Sequence, residues 1–142
     1  MENLHQATAV AINGRALLIQ GPPGCGKTGL ALTLIDRGAS LIGDDGVALT
    51  DDDGALLAAP PAATVGLIEI RNVGIVKLAA RRAPVSLVLK IAPEAPRYIE
   101  EAQVTHLMGH AIPCLEFPLY GSADAIRAEY ALKRYGLPGG AD

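Results

Sequence analysis

The run Gly21-Pro22-Pro23-Gly24-Cys25-Gly26-Lys27-Thr28 constrains this chain more than any other segment, because it matches G-x-x-x-x-G-K-[ST] in full. Its neighbours give the match structural meaning. Residues 16–20 read as an apolar strand, and from Lys27 to Arg37 the residues Leu30, Ala31, Leu34 and Ile35 recur at helical spacing. Gly38 stands where a left-handed C-cap would end that helix. A strand, a glycine-rich loop and a helix in this order turn successive backbone N–H groups toward one point at a helix N-terminus, where phosphate oxygens are held. Gly21, Gly24 and Gly26 permit the backbone angles of such a cradle, the Lys27 ammonium suits β- and γ-phosphates, and the Thr28 hydroxyl suits Mg2+. Cys25 occupies a variable position of the motif and is expected to be a small filler rather than a redox group.

The rest of the fold must be built from aliphatic side chains, since half of the 142 residues are hydrophobic but only 4% are aromatic. That composition suits an α/β domain with a buried, mixed sheet and flanking helices. One domain is expected over residues 1–136, with residues 137–142 as a flexible tail. Twelve Lys plus Arg against 15 Asp plus Glu give a net charge of −3, which supplies no electrostatic case for nucleic-acid binding. Cys25, Cys114, His5, His106 and His110 form no zinc-finger or ribbon spacing, and a secreted disulfide scaffold is excluded. Every apolar run falls short of the ~20 residues that span a bilayer, and the first residues carry no basic-then-apolar leader. A cytoplasmic protein with no membrane association is the expectation.

Hydrophobic alternation predicts a hairpin of residues 8–12 and 16–20 around Asn13-Gly14, then strands at 40–43 and 47–50 returned by the acidic turn Asp51-Asp52-Asp53-Gly54. Ala58-Ala59-Pro60-Pro61-Ala62-Ala63 reads as a surface loop. Further strands are expected at 65–70, 75–78, 85–91 and 112–115, and a last helix from Ser122, as N-cap, to Tyr135, stopped by Gly136. Two segments carry more chemistry. Leu41-Ile42-Gly43-Asp44-Asp45 ends a strand in paired carboxylates, and a strand beside a phosphate loop often delivers an acid to the metal or to the attacking nucleophile. The bland alternative is an Asp-Asp-Gly turn. In Ile68-Glu69-Ile70-Arg71-Asn72-Val73-Gly74-Ile75-Val76, strand alternation would put Glu69 and Arg71 on one face, where they form either a functional pair or a solvated one.

Taken in order, the phosphate loop, Arg37-Gly38 leading to Asp44-Asp45, and the Glu-x-Arg-x-x-Gly-Ile segment from Glu69 resemble the catalytic domain of HPr kinase/phosphorylase. The resemblance runs from about Leu4 to Gly136. It implies a P-loop kinase domain of the HPr kinase/phosphoenolpyruvate carboxykinase-like type, with ATP and Mg2+, with the phosphocarrier protein HPr as the serine-bearing substrate, and with homo-oligomeric assembly. By position, Gly21, Pro22, Pro23, Gly24, Cys25, Gly26, Lys27 and Thr28 match the nucleotide site, with Thr28 and Glu69 on the metal. Asp44 and Asp45 match the acidic pair that includes the general base, Arg71 a signature arginine, and His5 a histidine near the reacting phosphate.

Three departures qualify this expectation. Family members carry a further N-terminal domain with no counterpart here, and Asn72 stands where a glycine usually follows the signature arginine. The Pro-Gly-Arg-Asn-type loop that precedes the family's final helix has no match in residues 115–121. An ATP-dependent HPr serine kinase with weak or absent phosphorylase activity is therefore expected. The rival readings are a small-molecule kinase, which would need an arginine-rich lid and has only Arg81-Arg82, and a nucleotide-binding regulatory module, which would need the loop but not the carboxylates.

Overall fold

The computed structural model describes residues 2–139. A two-residue strand, β1 (Leu4–His5), is followed by the hairpin of β2 (Thr8–Ile12) and β3 (Arg15–Gln20). Asn13 and Gly14 take φ of 50° and 77°, the pair of left-handed residues whose twist suits a two-residue hairpin. The phosphate loop leads into α1 (Lys27–Asp36), then β4 (Ser40–Gly43), β5 (Val47–Asp52) and β6 (Ala55–Ala59). A single 3-10 turn at Ala62–Thr64 precedes a separate ribbon of β7 (Leu67–Ile70) and β8 (Gly74–Lys77). The long β9 (Ala83–Ile91), the hairpin of β10 (Gln103–Leu107) and β11 (His110–Phe117), and α2 (Asp124–Tyr135) complete the chain.

One mixed sheet carries the order β1-β5-β6-β9-β3-β2-β4, with β11 beside the C-terminal half of β9 and β10 outside it. Among the described residues, only the strands β3, β9 and β11 run parallel to one another as neighbours. Their carboxyl ends lie in register, Gln20 opposite Lys90 and Ile91 opposite Phe117, so the loops after all three strands meet along one edge. That edge is the crevice where ligands bind in sheets of this kind.

Both faces of the central strands are covered. Leu17, Ile19, Leu87, Leu89, Leu115 and Phe117 pack under Leu30 and Leu34 of α1 and Ala128 and Leu132 of α2. Leu18, Val88 and Cys114 turn to the other face and meet Val47, Leu49 and Leu56, so the curled sheet closes on itself there without a helix. Burial on both faces explains why these strands read as continuous apolar runs. No helix among the described residues is long and apolar enough to cross a membrane.

Several expectations need correction. Ala58 and Ala59, expected in a loop, lie in β6, where pairing with β5 and β9 buries Ala58 completely. Asp51 and Asp52 extend β5, leaving Asp53-Gly54 as the turn. β6 and β10 were not expected. Ser122 does not cap α2; the Asp124 carboxylate instead accepts hydrogen bonds from the Tyr120 and Gly121 N–H groups and closes the preceding turn. The expected tail is tied down at its start, since the Leu137 N–H donates to the Ser86 carbonyl and its own carbonyl accepts from Ser86 Oγ and Arg15. Residues 140–142 lie outside the described residues.

Candidate functional site

The phosphate loop connects β3 to α1 as its sequence requires, with Gly24 and Gly26 at φ of 78° and 107°. A methyl group on Gly26 would also come within 2.7 Å of Leu119 Cδ1, the far end of a flexible side chain, so the left-handed backbone is the stronger demand for glycine there. Lys27 is buried, with 8% exposure, and its Nζ donates to the Gly21 carbonyl at 2.6 Å. The ammonium therefore lies folded across the loop's own mouth, not on an exposed surface. Cys25 is partly exposed, and its N–H closes a turn to the Pro22 carbonyl.

The two adjacent aspartates have different surroundings. Asp44 Oδ1 accepts a hydrogen bond from Thr28 Oγ1 at 2.9 Å and a longer one from Thr8 Oγ1 at 3.5 Å, while Oδ2 accepts the Glu69 N–H at 3.1 Å. Asp45 sits in the left-handed region at φ 61°, is exposed, and directs only its backbone N–H inward, to Thr8 Oγ1 at 3.2 Å. The turn is tight enough that a Cβ on Gly43 would collide with the Gly46 carbonyl, so only glycine admits it. Thr8, completely buried on β2, thus holds both aspartates from the neighbouring strand. Sequence reasoning had passed over it as an ordinary strand residue.

His5 comes to the foot of the loop, where its Nε2 accepts a hydrogen bond from the Gln20 side-chain amide at 2.6 Å. Burial pushes the imidazole pKa below its ordinary value. Glu69 is joined to the site through its main chain, and its side chain is exposed. Arg71 is not on a strand with Glu69. β7 ends at Ile70, and Arg71 opens the turn in which Asn72 takes φ 67°, so the expected shared face does not form. Arg71 makes no ion pair among the described residues. No three His, Cys, Asp or Glu side chains converge as a ready-made metal cluster among the described residues. The Thr28–Asp44 pair nevertheless fits Mg2+, which is held in phosphate sites by one or two such oxygens plus phosphate and water.

The segment after β11 lies against the phosphate loop through Leu119. It carries no basic residue of its own, but Arg127 reaches back from α2, donating to the Pro118 carbonyl and to Asp124 Oδ1 and stacking over Phe117 and Tyr120 at 4.2 and 4.8 Å. This recruitment was illegible in sequence because the two segments meet only through the helix turn that Asp124 closes.

Comparison with known proteins bears on the family and the fold. A family model described as HPr Serine kinase C-terminal domain matches residues 1–82. The HPr kinase/phosphorylase of Clostridium beijerinckii is 45% identical over 67 residues, covering 47% of this chain and 22% of that protein. That of Chloroherpeton thalassium is 27% identical over an alignment covering 93% of this chain and 45% of its own length. The solved structure of the Hpr(Ser) kinase/phosphatase from Coxiella burnetii superposes with a TM-score of 0.80 at 24% identity, covering 94% of this chain and 89% of that one, which establishes the shared fold. The chain thus spans less than half the length of these sequence relatives. On the family match over its first 82 residues, which contain the phosphate loop, the aspartate pair and the β7–β8 ribbon, this chain belongs to the HPr serine kinase C-terminal domain family.

Proposed function

We propose that this chain is the catalytic unit of an ATP-dependent protein serine kinase whose substrate is HPr. The observation that carries the proposal is the division of labour between Asp44 and Asp45. Asp44 is engaged by the Thr28 hydroxyl, the arrangement that positions a divalent cation beside a phosphate loop, while the neighbouring Asp45 carboxylate is exposed and unengaged. A binding-only module has no use for that second carboxylate.

In this reading the loop N–H groups and Lys27 hold the donor's phosphates, Lys27 exchanging its bond to the Gly21 carbonyl for phosphate oxygens. Thr28 and Asp44 would hold Mg2+, with Glu69 at the outer side of the same site, and the ion supplies charge neutralisation of the transferring group. Asp45 accepts the serine hydroxyl proton as the serine oxygen bonds the γ-phosphorus and the bond from that phosphorus to the β–γ bridging oxygen breaks, with ADP as the leaving group. Neutral His5 stands at the loop's foot as a hydrogen-bonding group, and Arg71, exposed at the ribbon tip, would meet an incoming protein rather than the nucleotide. The rival small-molecule kinase is disfavoured because Arg81 and Arg82 precede β9, at the end of the sheet opposite the phosphate loop, and form no lid over it.

Homo-oligomeric assembly and a cytoplasmic setting belong to the same proposal, and light scattering measures the first. The deciding experiment is incubation of the pure chain with Mg-ATP and HPr. A mass increase of one phosphoryl group on an HPr serine is expected, and an unmodified HPr under conditions where ATP binds refutes the proposal.

A further inference from the structure

Thr8 begins β2, which lies between β3 and β4 in the sheet, with Ile19 opposite it on β3. Alternation along β2 puts its side chain on the face of Val10 and Ile12, the face that α1 covers, and none of it is exposed. Valine would suit such a position better, because a hydroxyl withdrawn from water costs free energy unless new hydrogen bonds replace those it loses. Here both partners come from the acidic pair. Oγ1 accepts the Asp45 N–H at 3.2 Å, and since an ionised carboxylate can only accept, the hydroxyl proton is directed at Asp44 Oδ1, 3.5 Å away.

We propose that Thr8 is a positioning residue for phosphoryl transfer: its buried hydroxyl sets where the Asp45 carboxylate stands relative to Asp44 and the phosphate loop. The proposal rests on the kinase reading above and names the group that fixes the proton acceptor of that reading.

The pairing of β2 with β4 provides an independent observation. Ala11 opposes Ser40 and Val10 opposes Leu41, but Ala9 opposes Gly43, so Ile42 is an extra residue on β4. Carried one residue further, that register sets Thr8 opposite Asp44. Without the extra residue Thr8 would oppose Gly43, and Asp44 would oppose Ala7. A bulge of this kind re-aims the side chains beyond it, and a slip of one residue changes which side chains share a face. Its effect here is to bring the one hydroxyl of β2 to the acidic pair.

The two aspartates depend on Thr8 unequally. Asp45 makes no other hydrogen bond among the described residues, so the bond from its N–H to Thr8 is what ties this exposed, left-handed residue to the sheet. Asp44 keeps Thr28 Oγ1 and the Glu69 N–H whatever stands at position 8. Loss of the Thr8 hydroxyl therefore releases Asp45 and leaves Asp44 and Lys27 in place. Rate should suffer and nucleotide binding should not, since a displacement of ~1 Å is enough to cost roughly 10²-fold in rate.

The test follows phosphoserine formation on HPr by mass, at varied Mg-ATP, in variants of the full chain with thermal melts alongside. Thr8→Val removes the hydroxyl and keeps the bulk, whereas Thr8→Ser keeps the hydroxyl and gives up the buried methyl group. Thr8→Val should lower kcat at least about tenfold with KM for ATP within about twofold of the parent. Thr8→Ser should stay within about threefold of the parent in kcat although it melts at the lower temperature of the two. Thr8→Ala, which lacks the same methyl group as Thr8→Ser, repeats the comparison should valine not pack, and is expected to be about tenfold slower than Thr8→Ser at a similar Tm. A kcat order that follows Tm, equal losses in Thr8→Ser and Thr8→Ala, parental kcat in all variants, or a raised KM at parental kcat overturns the proposal and leaves the kinase reading standing. A parent chain that binds Mg-ATP and leaves HPr unmodified overturns both.

Discussion

Replacing each aspartate of the pair with asparagine separates two roles that a single loss of activity would confuse. The Asp45 carboxylate accepts no hydrogen bond among the described residues, and asparagine tolerates its left-handed backbone at φ 61°. Asp45→Asn should therefore leave stability within about 0.5 kcal/mol of the parent, yet slow phosphoryl transfer by about 10²-fold or more, the size of a general-base contribution. Asp44→Asn faces a different environment. Its remaining oxygen can keep the Glu69 N–H, and its new amide must then face the Thr28 and Thr8 hydroxyls, which can rotate to accept. Exchanging charge-assisted bonds for neutral ones costs roughly 1–2 kcal/mol, or a fall of roughly 2–8 °C in Tm. Mg-ATP affinity should fall with it, because the cation loses its negative partner. Thermal melts, calorimetric titration of Mg-ATP and single-turnover mass analysis of HPr make the comparison. If Asp45→Asn weakens nucleotide binding and lowers Tm as much as Asp44→Asn does, the division of roles drawn from the hydrogen bonds is wrong.

Lys27→Ala should abolish transfer and also cost about 1 kcal/mol in stability, because the buried ammonium bonds the Gly21 carbonyl; a variant with parental turnover, read by phosphoserine mass, would make the loop a structural turn. The depressed pKa of His5 means that the unfolded chain binds more protons than the native one once pH falls below the ordinary imidazole pKa of about 6.5, so this residue's effect is to lower stability with falling pH through that window. Denaturant melts between pH 7.5 and 5 should show a smaller loss for His5→Gln, and parallel curves would remove the assignment. Phosphoserine-HPr with inorganic phosphate and Mg2+ should release little pyrophosphate, because Arg127, the basic group that reaches the 118–121 segment, is already committed to Asp124 and the Pro118 carbonyl. Release at the kinase rate, followed by coupled pyrophosphate assay, would show that another cation has taken up that task.

What was legible in the sequence was local. The phosphate loop, α1 and the β2–β3 hairpin follow from glycine placement, helical spacing and an Asn-Gly turn, all decided within a few residues. The acidic pair and its place after β4 were equally plain. Segments whose strand character depends on partners were not. The alanines of β6 have little preference for strands and become one by pairing with β5 and β9, and β10 is a mostly exposed edge strand made by its hairpin with β11. Arg71 was placed on the wrong element because the turn around the left-handed Asn72 ends β7 at Ile70, one position before Arg71.

The amino-acid order alone determined which side chains are available for the proposed phosphate and proton-transfer roles, since a glycine-rich loop before a helix dictates its own geometry. Only the tertiary structure decided how those side chains share the work. Thr8 and Glu69 reach Asp44 across 36 and 25 residues of chain, and Arg127 comes to Pro118 around a helix turn. Such contacts depend on which strands lie side by side and on the curl of the sheet, and neither is encoded in the spacing of residues along one segment.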